Sequence, residues 1–163
     1  MLLNKVQTYI SQLDLQPHPE GGYFKETYRC PLTYNNEDFD APRNLSTGIY
    51  FLLTKDNYSA FHRIKSDEMW HFYDGDTLFI HVIHPDGQYE CIQLGKDIEN
   101  GEKPQAIVPA RSWFASESKG TFSLVGCTVA PGFDFNDFEM AKKEELSKQF
   151  PTQKDLIERL CRS

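Results

Sequence analysis

Between Leu45 and Ala130 the chain strings together short apolar or alternating runs, at about 45–54, 58–64, 68–74, 77–84, 88–94, 105–109, 112–116 and 121–130. Only turn-forming residues separate most of them: K-D-N at 55–57, K-S-D at 65–67, D-G-D at 74–76 and P-D-G at 85–87, with a longer loop, I-E-N-G-E-K-P, at 98–104. A parallel sheet needs a crossover of a dozen or more residues between partner strands. No such interval exists here, so the pattern predicts an all-β antiparallel sandwich or barrel.

The two ends read differently. Leu2, Leu3, Val6, Ile10 and Leu13 recur at helical spacing and predict a short amphipathic helix over 2–14, laid over one edge of the core and stopped by Pro17 and Pro19. Tyr23 to Arg29 alternates like a strand, with Tyr23, Lys25, Thr27 and Arg29 on one face and Phe24, Glu26 and Tyr28 on the other. Residues 32–44 are polar and irregular and read as a mobile loop. Near the C-terminus, Asn136 or Asp137 is placed to cap a helix running to Leu146, and Thr152 a last one to Leu160. The run of phenylalanines at 133–138 reads as a plug or a dimer contact. A single domain over 1–163 follows: helix 2–14, barrel 19–130, C-terminal turn and helices 131–163.

Charge excludes one large class of function. The net charge is −7 and no basic run occurs, which argues against nucleic acid as a partner. No apolar run reaches membrane-spanning length, so no membrane partner is expected. Cys30, Cys91, Cys127 and Cys161 are widely spaced and make no structural zinc motif. A cytoplasmic location with reduced thiols is the corresponding expectation.

The chemistry concentrates in S-A-F-H-R-I-K-S-D-E-M-W-H-F-Y-D-G, residues 59–75. It sets His62, Glu68 and His71 on either side of one turn and between two apolar strands. Titratable groups buried in a barrel are costly unless satisfied or used. His18, His81 and His84 are given no role, and Cys127 reads as a small core residue.

That stretch resembles the first motif of the cupin superfamily, small antiparallel jelly-roll barrels. His62, Glu68 and Gly75 stand in the family's register, with Ile64 in place of its second histidine. P-A-R-S-W-F at 109–114 resembles the second motif, with Arg111 in place of a glycine and Phe114 in place of a histidine. P-E-G-G-Y-F-K-E-T-Y-R at 19–29, I-V-P-A-R-S-W at 107–113 and V-G-C-T-V-A-P-G-F-D-F at 125–135 are similar to a largely uncharacterised cupin subfamily. The resemblance implies a double-stranded β-helix with short terminal helices, and a homodimer. It does not imply a reaction.

Three functions remain open on these residues. A small-molecule-binding module would use Trp70, Phe72, Trp113 and Phe114 as an apolar mouth, with His62 and Glu68 as oriented polar contacts. A metal-independent epimerase or isomerase, by analogy with related jelly-roll barrels acting on nucleotide-linked sugars, would use His62 as base and Glu68 to orient it. Tyr23, Lys25, Glu26 and Arg29 would then contact the ligand. Tyr50, Tyr58 and Tyr73 are all candidates for the acid. A metal-dependent enzyme would need a divalent transition metal on His62, Glu68 and His71, although strand alternation puts His71 on the face opposite Glu68. No cofactor is favoured. The expected ligand is a sugar, a nucleotide-sugar or a similar polar metabolite, bound around His62, Glu68, Tyr23, Lys25, Glu26, Arg29, Tyr50, Trp70, His71, Phe72 and Trp113.

Overall fold

A computed structural model describes residues 2–163. Helix α1 spans Leu2–Gln12 and leads into a thirteen-strand order: β1 Gln16–Pro17, β2 Tyr23–Arg29, β3 Thr33–Tyr34, β4 Arg43–Asn44, β5 Thr47–Thr54, β6 Ser59–Arg63, β7 Asp67–Gly75, β8 Leu78–Ile83, β9 Tyr89–Leu94, β10 Gln105–Val108, β11 Trp113–Ser118, β12 Phe122–Ala130 and β13 Glu139–Met140. Helices α2, Lys143–Gln149, and α3, Lys154–Leu160, close the chain. No helix among the described residues is long and apolar enough to cross a membrane.

The strands form two facing antiparallel sheets, ordered β1-β2-β5-β12-β7-β10 and β13-β6-β11-β8-β9. This is the jelly roll anticipated above. Alternation along each strand sends one set of side chains between the sheets, where Phe51, Leu53, Trp70, Ile80, Val82, Phe114 and Val125 make the inner core. The outward set is covered by helices. Val6 of α1 packs with Leu52, Phe122 and Leu124 on the six-stranded sheet. Leu146 of α2 and Ile157 and Leu160 of α3 pack with Phe61, Ile83 and Trp113 on the five-stranded one. Helices on an antiparallel sheet's outer face explain why apolar residues fall on both sides of β5 and β8.

Three local expectations are corrected. Residues 32–44 are a hairpin of β3 and β4 rather than a structureless loop. It is anchored where Arg43, 3% exposed, donates to Asp137 at 2.7 and 2.9 Å. Asp137 is therefore committed to Arg43, and neither it nor Asn136 caps a helix. The chain instead makes a single 3-10 turn at Phe135–Asp137, capped by Asp134, then β13, before α2 begins at Lys143. Thr152 lies inside the 3-10 turn Pro151–Gln153 and does not cap α3, whose first residue is Lys154.

Strand β2 carries a further departure, the one that matters for the site. Its pairing with β5 slips between Glu26 and Tyr28. The extra residue of this bulge shifts the alternation by one. Arg29 thereby moves to the face of Phe24 and Glu26, while Tyr23 and Lys25 stay on the opposite face.

Candidate functional site

The inner core fills one end of the barrel and leaves the other open. Here lies a cavity of about 280 Å³, walled by β2, β5, β6, β7 and β12. Phe133, Phe135 and Phe138, from the segment after β12, fold over its mouth with Phe24. Its polar groups are His18, Glu20, Glu26, Arg29, Thr47, His62, Glu68, Cys127 and Asp134.

His62 and Glu68 do meet in this cavity, but the partner that binds His62 is Glu20. His62 Nε2 lies 2.6 Å from a Glu20 carboxylate oxygen, and its Nδ1 lies 2.7 Å from the Ala60 carbonyl. Nδ1–H therefore donates to the backbone. The Glu20 oxygen has the distance of a charge-assisted contact without its direction, and no conventional hydrogen bond satisfies it. Glu20 is placed by the turn H-P-E-G-G. Gly21 has φ 113°, in the region favouring glycine, and a Cβ there would collide with the Tyr58 carbonyl. Glu20's own carbonyl accepts from Ala60 N–H at 2.8 Å, locking the turn to β6.

The electrostatics follow from two carboxylates, Glu20 and Glu68, and two imidazoles, His18 and His62, sharing a buried space. Burial opposes the imidazolium form of His62, but the Glu20 carboxylate, the Ala60 carbonyl and the Glu68 charge together outweigh it and raise the pKa. Burial likewise opposes the Glu20 carboxylate, and the charges of His62 and His18 hold it below its ordinary value. Glu68 gains less from the His62 charge. Burial first, then repulsion from Glu20, push its pKa up to about 7. Burial lowers the pKa of His18, which accepts a hydrogen bond at Nδ1 from the Glu20 amide at 3.1 Å and so carries its proton on Nε2. Burial and the neighbouring Glu68 raise the Cys127 thiol well above normal, so it stays a thiol.

The remaining expected residues divide sharply. Glu26 and Arg29 line the cavity, paired to each other through two hydrogen bonds of 2.8 Å. Arg29 also donates to Asn44 and to the Phe133 carbonyl, tying β2 to the aromatic lip. Tyr23 and Tyr50 lie under α1, and Lys25 reaches Asp14 at the surface, 2.6 Å away. Trp70 is sealed in the inner core against Phe51 and Phe114, and Phe72 packs on that core's margin. Trp113 faces outward beneath Arg63. His71 lies on the outer face of β7, 2.9 Å from Thr128 Oγ1. These seven residues are not brought to the cavity.

The histidine positions of the two motifs behave consistently. Phe114 packs against His62 with the rings tilted by 54° and their centroids 4.1 Å apart, and Ile64 lines the cavity wall. Apolar side chains thus fill the places where further ligands would stand. Among the described residues, no three His, Cys, Asp or Glu side chains are arranged to hold a metal ion.

Sequence comparison converges on the same fold. Residues 7–141 match the family model described as "Cupin superfamily (DUF985)". The chain belongs to the cupin superfamily. This cupin is 34% identical over 160 residues to the uncharacterized protein YML079W of Saccharomyces cerevisiae, covering 89% of this chain and 79% of that protein. A hypothetical protein from Leishmania major superposes with a TM-score of 0.90 at 34% identity, over 96% of this chain and 98% of that one. Protein SO0799 from Shewanella oneidensis superposes with a TM-score of 0.88 at 40% identity, over 96% of each chain. Bacillus subtilis oxalate decarboxylase shares the fold alone, at 15% identity and a TM-score of 0.57 over 91% of this chain and 37% of that one.

Proposed function

We propose that this cupin binds a small, uncharged polar metabolite in its barrel, a sugar ring being the leading candidate, and moves a proton on it through Glu68. The observation that carries this reading is the carboxyl of Glu68: buried, facing the cavity, and poised near pH 7. A general acid–base group works best when its pKa lies near the operating pH.

Size and charge narrow the ligand. About 280 Å³ sits at the lower edge of ordinary ligand pockets and suits one ring rather than a whole nucleotide-sugar. Among the described residues that line the cavity, Arg29 is the one arginine or lysine, and Glu26 neutralises it. A phosphate would thus gain little inside the barrel. The aromatic lip offers ring faces to the apolar side of a sugar, and Glu20, His18 and His62 offer hydrogen bonds.

His62 takes a different part from the base suggested by the motif. One of its nitrogens donates to a backbone carbonyl and the other faces a carboxylate, so as an imidazolium it has no lone pair to accept a proton. Held that way it acts as a proton donor or a fixed positive charge. Glu68 is the better base.

The reading is tested by incubating the protein in D2O with a panel of aldoses and ketoses and following exchange of the C–H protons next to the carbonyl by NMR. Exchange with wild type and its loss in Glu68→Gln supports proton transfer. Saturable binding without exchange leaves a binding module. Absence of binding across the panel overturns the sugar assignment.

A further inference from the structure

Beside the barrel mouth, a second cavity of about 260 Å³ is also lined by Ile64 and Phe138, which it shares with the first. Its other walls carry Arg63, Lys65 and Arg111, with Asp137 and Glu139 among them. We propose that this cavity is an anion site for the phosphate of a phosphorylated metabolite whose uncharged ring occupies the barrel. The phosphate site stands on its own residues; the ring half of the statement rests on the barrel reading.

The case begins with which charges are already matched. Asp137 is held bidentately by the buried Arg43, and Glu139 pairs with Arg63 at 2.7 Å. Arg63 in turn lies over the Trp113 ring, 4.4 Å from its centroid. That leaves Lys65 and Arg111. Lys65 Nζ reaches only to 4.0 Å from Asp137 and donates to the Asp38 backbone carbonyl at 3.2 Å. Arg111 meets the Asp38 carboxylate at 3.2 Å, with both side chains more than half exposed. An ion pair so well hydrated contributes little. Asp38, on the turn between β3 and β4, touches both cations, Lys65 through its backbone carbonyl and Arg111 through its carboxylate.

Arg111 adds an independent argument. Its φ is 68°, in the left-handed region where glycine is at ease and a long side chain is strained. Its amide donates to the Ile64 carbonyl at 2.9 Å, so the turn is fixed to the end of β6, and Arg111 lines the cavity together with Lys65. The combination suits phosphate. A guanidinium fork takes two phosphate oxygens and an ammonium takes a third, both through charge-assisted hydrogen bonds. The two cavities thus divide by chemistry, one aromatic and rich in carboxylates, the other polar with one more cation than carboxylates.

The experiment titrates the full-length chain with inorganic phosphate at constant ionic strength, reading ³¹P line width and the tryptophan fluorescence to which Trp113 contributes. Saturable binding is expected. The double variant Lys65→Gln, Arg111→Gly should weaken it roughly tenfold or more. Arg111→Gly suits the backbone, so this variant is expected to fold. Asp38→Asn should tighten binding roughly two- to fivefold by removing the competing carboxylate. A response to chloride equal to that of phosphate, or phosphate binding unchanged in the double variant, would overturn the site. A hexose phosphate should bind more tightly than inorganic phosphate. If it does not while phosphate still binds, the anion site stands and its coupling to a ring in the barrel is refuted.

Discussion

Two buried histidines in this protein each face a carboxylate, and they behave in opposite ways. On the outer side of the five-stranded sheet, His81 Nδ1 is 2.8 Å from the Tyr89 hydroxyl and Nε2 is 3.1 Å from Glu117. Arg159 of α3 grips the same Glu117 carboxylate through both of its terminal nitrogens. Burial keeps the His81 pKa below its ordinary value. Burial also opposes the Glu117 charge, but Arg159 and His81 hold the carboxylate ionised. In the barrel, His62 and Glu20 make a comparable pair, but the additional acid, Glu68, has no arginine or lysine to answer it. A buried carboxylate with a matched cation is a fastener between α3 and the sheet. The same group in excess of its cations becomes a proton carrier.

That contrast can be broken most forcibly at the pair itself. Glu20→Ala would leave the His62 imidazolium buried and unpaired, and is expected to cost about 3–5 kcal/mol in chemical denaturation. Glu117→Ala should cost only about 1 kcal/mol, because Arg159 is half exposed and water replaces the lost partner. Equal losses at the two sites would erase the distinction.

The pH dependence sharpens it. Glu68 has a folded pKa raised to about 7 from 4.5. The folded state holds this proton more tightly, so its stabilising effect is complete below pH 4.5 and is lost as pH rises through 7. Glu68→Gln should therefore stabilise the protein at pH 8 by about 1–3 kcal/mol and flatten the stability profile between pH 5 and 8. Glu117 has a lowered pKa, so its contribution is present above the unfolded value and is lost as pH falls. Glu117→Gln should weaken the protein at neutral pH and leave the alkaline slope in place. Thermal melts across this range would show both signs.

The smallest expected effect is at Cys127, whose buried thiol lines the cavity with Glu68 and works against the upward shift of its pKa. Cys127→Ala should move the Glu68 titration upward, with a stability change of about 1 kcal/mol or less. Carboxyl ¹³C shifts followed against pH would register it. A downward movement would mean that the thiol contributes bulk rather than a hydrogen bond.

Much of the framework was legible in the residues. Eight strand runs between Leu45 and Ala130 fall within about two positions of β5 to β12, because period-two alternation and short turns are local properties. His62 and Glu68 share the barrel interior for the same reason, each lying in phase with its strand's apolar set. Alternation also put His71 on the opposite face, where it lies. Arg29 shows the limit of that logic, since a bulge opposite Gly48 reversed its face without any marked signal in E-T-Y-R. Trp70, Phe72 and Trp113 looked like a mouth by composition, yet depth in the sandwich and the positions of α2 and α3 put them in packed layers. His18 looked like a loop residue between prolines, and Glu20 drew no notice. The paired glycines that follow were the available clue, because only a chain forced to turn tightly there would bring the preceding acid against β6.

By itself, then, the sequence determined a twisted two-sheet barrel, its strand order along the chain, and the presence of His62 and Glu68 within it. Each is set by neighbours a few residues away, through pleat, turn and burial. The tertiary structure decided the partnerships. Glu20 against His62, Arg43 against Asp137 and Asp38 against Arg111 join segments 42, 94 and 73 residues apart. Which charge answers which depends on how far the sheets pack and where the loops cross. Those packings leave Glu68 without an arginine or lysine beside it, and Arg111 with only the exposed Asp38 carboxylate.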